Sequence, residues 1–130
     1  MFVRIIGALA LAFLLPLSVQ AAPTCVQGVA GAAPTATISF TPPTLNTDGT
    51  AVATPLTYTL FASTTSGAEV AAKTGLTGSP ISVSTGLTPN MTAYFYVVVV
   101  DANGKQSLPS NEVCKAFPAS TPGTVTITIS

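Results

Sequence analysis

From Thr35 onward, apolar and polar positions alternate with a period of two. Thr35-Ala36-Thr37-Ile38-Ser39-Phe40, Leu56-Thr57-Tyr58-Thr59-Leu60 and Ile81-Ser82-Val83 each place one apolar set on one face of an extended chain. No stretch after the first twenty residues shows the 3.6-residue period of a helix. The pattern predicts strands at Cys25–Val29, Thr35–Phe40, Leu56–Ala62, Ile81–Ser84, Thr92–Val100, Glu112–Phe117 and Thr124–Ile129. Pro42-Pro43 ends the second strand, because proline has no N–H for a ladder. Thr65-Ser66-Gly67 and Gly75 to Pro80 bound a weakly patterned middle, where Val70-Ala71-Ala72 is expected to add a short edge strand. Short strands separated by turn signals argue for an antiparallel sandwich.

The opening segment has a different character. Arg4 precedes an apolar stretch from Ile5 to Leu17, and Val19-Gln20-Ala21 has the short residues a signal peptidase reads. Residues 1–21 are expected to be a cleaved signal peptide, with Ala22 as the alternative cleavage point and an uncleaved anchor as the alternative reading. The apolar stretch is shorter than the roughly 20 residues that span a bilayer. The expected location is secreted or periplasmic, with no membrane span after cleavage. Residues 22–130 make one small domain by length.

Composition narrows the function classes. Beyond the leader, Lys73, Lys105 and Lys115 face Asp48, Glu69, Asp101 and Glu112, and the chain has neither His nor Trp. A nucleic-acid ligand is not expected, because no basic stripe exists to displace counterions. A Ser or Cys nucleophile lacks its commonest base, and four scattered acids give no glycosidase pair. No enzyme activity, cofactor or metal site is expected. Asp101-Ala102-Asn103-Gly104 shares the opening of a calcium loop but lacks its other ligands, and a tight turn accounts for it. Cys25 and Cys114 are the only cysteines, and in an exported chain they should pair. Closing so long a loop stabilises by roughly 4–5 kcal/mol in the chain-entropy description.

From Pro34 to Val113 the order of these motifs resembles a bacterial-type fibronectin type III module. Ala36 to Pro43 is similar to that family's B strand and proline exit, with Phe40 where a tryptophan is usual. Leu56 to Phe61 is similar to strand C, Gly86-Leu87-Thr88-Pro89 to the E–F corner, and Asp101 to Gly104 with Leu108 to Val113 to the F–G loop and strand G. The resemblance implies an all-β, antiparallel immunoglobulin-like sandwich of about seven strands over residues 22–117. A Pro/Thr linker and a strand-forming tail over residues 118–130 would follow it.

The family's corner tyrosine falls at Ala93, with Tyr94 one residue on. Either a bulge returns Tyr94 to the core or the corner lacks its hydroxyl, and the Cys25–Cys114 bridge would then clamp the A and G strands. In the family register Ala93, Phe95, Val97 and Val99 point inward with Ile38, Phe40, Tyr58 and Leu60. Phe61, Tyr94, Tyr96 and Val98 point outward, and Phe61, Tyr94 and Tyr96 form the candidate contact surface. The resemblance implies a non-enzymatic module that acts by protein–protein contact, by self-association, or as a subunit of a cell-surface or extracellular structure. A carbohydrate-associated accessory domain and a phage or mobile-element surface protein are the alternatives. The tail Thr124–Ser130, alternating and uncharged in its side chains, is expected to pair, with its own sandwich or with a neighbour's edge.

Overall fold

The computed structural model describes residues 22–130; the expected signal peptide, residues 1–21, lies outside them. Seven strands form two sheets: β1 (Val26–Gln27), β2 (Ala36–Ile38), β3 (Thr57–Ser63), β4 (Val70–Leu76), β5 (Ile81–Val83), β6 (Met91–Val100) and β7 (Val113–Phe117). The larger sheet has the order β1-β7-β6-β3-β4, and the smaller pairs β2 with β5. All pairings are antiparallel except β1 with β7. No helix forms among the described residues.

The alternation seen in the sequence becomes the core. Ala36 and Ile38 of β2, Ile81 and Val83 of β5, Tyr58 and Leu60 of β3, and Ala93, Phe95 and Val97 of β6 are buried between the sheets. Leu60 and Phe95, at the centre, are the least exposed, at 0% and 2%. Phe40 and Val99 pack against this core while half-buried. The Phe40 and Tyr58 rings meet at 4.7 Å, tilted by 49°, which avoids the face-to-face sandwich that ring quadrupoles disfavour. β6 keeps an unbroken register against both β3 and β7, so no bulge brings Tyr94 inward and Ala93 holds the corner position.

Two lysines join the sheets at opposite sides. Lys73 of β4 donates through Nζ to the Ser82 carbonyl of β5 at 2.7 Å. Lys115 of β7 donates to the Thr35 carbonyl, just before β2, at 2.8 Å. Each cation satisfies a backbone acceptor on an outer edge of the small sheet, and an inward-reaching charge discourages pairing there.

Several expectations need correction. The middle region forms a full seven-residue strand, β4, instead of a three-residue edge. Its pairing runs on through Lys73 to Leu76, helped by register shifts near Leu60. The first strand shrinks to Val26–Gln27, and it pairs with β7. The tail Thr124–Ile129 forms no strand and pairs with no edge of its own molecule. Its Val125, Ile127 and Ile129 are more than four-fifths exposed. Strand propensity describes how a segment fits a pleated surface, and it forms no ladder without one.

Candidate functional site

The outer face of the larger sheet carries three aromatic residues, Phe61, Tyr94 and Tyr96. Phe61 and Tyr96 are directly opposed in the β3–β6 ladder. Side chains of such a pair leave the sheet on the same side. Their rings stack at 4.7 Å and 13°. Tyr94 lies two residues along the same face, opposite Ser63 on one side and Cys114 on the other. All three aromatics are half-buried. Val98 continues the row outward, as its alternation requires, yet it is only 3% exposed.

The disulfide borders this row. Cys25 and Cys114 are bonded, with Cα atoms 4.6 Å apart and 89 residues between them in sequence. Cys114 faces Tyr94 in the ladder, so the bridge lies on the outer side of the sheet and not between the sheets. It fixes the start of β1 to β7 beside the aromatic row.

Beyond Phe95, serines take over β7's role. Ser110 N donates to the Val97 carbonyl at 3.0 Å, and Ser107 N to the Val99 carbonyl at 2.9 Å. Their hydroxyls accept in return from Val97 N at 2.9 Å and Val99 N at 3.1 Å. Leu108-Pro109 is thereby looped out without stranding the backbone of β6, as short hydroxyl side chains permit in turns.

The few carboxylates serve loops. Asp101 Oδ1 accepts from Asn103 N at 2.9 Å and Lys105 N at 2.8 Å, while Gly104 adopts φ 79°. This is the tight turn anticipated for Asp101–Gly104. Asp48 accepts from the Thr50 hydroxyl and from Thr50 N, and these bonds hold its pKa below the ordinary value. Glu112 meets Glu69. Its pKa is lowered by the hydrogen bond with Glu69, then by those from Ser66 and Gly67 N. Glu69 is raised, by desolvation first and then by sharing that hydrogen bond. The described residues hold no cluster of three or more His, Cys, Asp or Glu suited to a metal ion.

A second feature is a groove of about 420 Å³ on the side where β2 faces β7. Ala36, Ile38 and Phe40 line one wall, Phe95 and Val97 the floor, and Val113 and Lys115 the other wall. It is open because β1 joins β7 and leaves the outer edge of β2 unpaired. Sequence reasoning missed this groove, for nothing local in Cys25–Val29 tells which sheet the strand joins. Elsewhere, Leu45, Asp48, Val52, Lys105 and Leu108 help to line a larger depression of about 610 Å³.

Among solved structures, the chain is similar to a Fn3-like protein from Clostridium thermocellum. The identity is 24%, covering 74% of this chain and 94% of that one, with a TM-score of 0.51. No family model and no curated protein matches the sequence. The two sheets, their strand order and this likeness together define a fibronectin III-like β-sandwich. The likeness extends to the fold alone.

Proposed function

We propose that this chain is a non-enzymatic exported module that works by protein–protein contact, as a subunit of a cell-surface or extracellular structure. The observation that carries this reading is the outer row of Phe61, Tyr94 and Tyr96 beside the disulfide. Half-exposed aromatic side chains with low conformational entropy are what protein interfaces favour at their centres. Phe61 and Tyr96 spend one ring face each on one another, which leaves less flat surface for a sugar and favours the protein reading over the carbohydrate one. The disulfide supports an oxidising compartment, secreted or periplasmic. The sparse charge of the surface favours association further.

A photo-reactive benzoylphenylalanine in place of Tyr94, in cells that export the full chain, tests the reading. Discrete protein adducts are expected from position 94 and none from a control at Asn103 in the exposed turn. Equal labelling from both positions, or none from either, would overturn it. Retention on a glycan array that is lost on Tyr94→Ser would instead establish the carbohydrate reading.

A further inference from the structure

The groove beside β2 and the tail at the C-terminus are complementary. Thr35 gives its carbonyl to Lys115, away from β5. With a period of two, the backbone groups of Thr37 and Ser39 therefore point to the same open edge. A strand laid there would find those groups ready to pair and an apolar floor of Phe95, Val97 and Ile38 beside them. The segment Thr124–Ser130 supplies what such a site takes. Val125, Ile127 and Ile129 share one face, Thr124, Thr126 and Thr128 the other, and no side chain is charged. β2 spans Ala36–Ile38, and with the flanking Thr35, Ser39 and Phe40 the open stretch is six residues against the seven of this segment.

We infer that the segment Thr124–Ser130 of one molecule adds as a strand to the free edge of β2 in a second copy, seating Val125, Ile127 and Ile129 in the groove. This deepens the contact function proposed above and rests on it. The state of the tail in its own molecule selects a second copy over the same molecule. Pro118 Cδ and Ser120 Oγ lie 3.5 and 3.9 Å from where β-carbons would sit on Gly28 and Gly31. The linker thus runs beside the β1–β2 connection as far as Ser120. Beyond it, Thr124–Ser130 pairs with no edge of its own molecule, and Val125, Ile127 and Ile129 stay more than four-fifths exposed. Each edge carries one lysine contact, but Lys115 takes the Thr35 carbonyl just before β2, whereas Lys73 takes that of Ser82 in the middle of β5, so the edge of β2 is the less obstructed. Donor and acceptor are different surfaces, so the contact is head-to-tail and generates chains or rings.

Size-exclusion chromatography with light scattering, on the full exported chain over a range of concentrations, reads the association directly. The full chain is expected to shift from one chain's mass to two or more as concentration rises. Deleting Thr124–Ser130, or Ile127→Asp alone, should leave a monomer. Ile127→Asp lies outside the packed sandwich and so cannot act by unfolding it. Thr37→Pro removes only an outward N–H from an edge strand, a position that tolerates proline, and should also be monomeric. An equimolar mixture of the deletion (acceptor only) and Thr37→Pro (donor only) should then give a heterodimer. Association of the deletion variant like the full chain, or a mixture that stays monomeric, would overturn the proposal. A full chain that is always monomeric and melts lower once the tail is deleted would overturn it in favour of self-pairing. Either result leaves the test at position 94 standing by itself.

Discussion

Tyr58 and Tyr96 carry the same side chain into opposite surroundings. Tyr58 is 3% exposed and packs on Phe40. Tyr58→Ala should cost about 3–5 kcal/mol, as large core truncations do. Tyr96→Ser gives up mainly the stack on Phe61, and should cost about 1 kcal/mol. Urea melts with the reverse order would mean a one-residue shift of β6. Asp48 offers a test by titration. Its carboxylate accepts two bonds from Thr50, so its pKa in the folded chain lies below the ordinary 3.8. The turn's contribution is present above the unfolded value and fades as pH falls through the folded one. Carboxyl-carbon NMR should find this low value, and Thr50→Val, which removes the hydroxyl bond, should move it upward.

Where the serine-backed edge replaces β7, stability rests on single hydroxyls. Ser110→Ala leaves Val97 N without its partner in a partly buried place, and should cost about 1–3 kcal/mol. Ser107→Ala acts at a more exposed bond and should cost less, which thermal melts of the two variants would check. The elements differ in how plainly the sequence announced them. β2, β3, β5 and β6 were legible because each buries one face against the other sheet, which imposes strict alternation. β4 was not, since Ala71, Ala72, Thr74 and Gly75 lie on an edge that buries little and needs no pattern. The tail differed in the other direction, having the pattern but forming no strand within its own molecule. Tyr94 and Tyr96 were placed outward by alternation read in the register that the family resemblance implies. The burial of Val98 was not, for it depends on neighbours that periodicity does not specify.

Across the whole molecule, the five-stranded sheet faces only β2 and β5, and the missing cover over β2 is what opens the groove. That arrangement follows from the side on which β1 settles, a long-range outcome that no window of the sequence reveals. The disulfide holds β1 there. Replacing Cys25 and Cys114 together by Ala should lower stability by about 2–5 kcal/mol in denaturant titrations. The same bond also sets how the molecule responds to being pulled. It joins the strand nearest the start of the fold to the strand nearest its end, so tension applied at the two termini passes through sulfur and bypasses the sandwich. An oxidised molecule cannot pay out the 89-residue loop even if its sheets come apart. Reduction would release roughly 300 Å of slack at about 3.3–3.6 Å per residue. Oxidised, the domain behaves as a link of nearly fixed length.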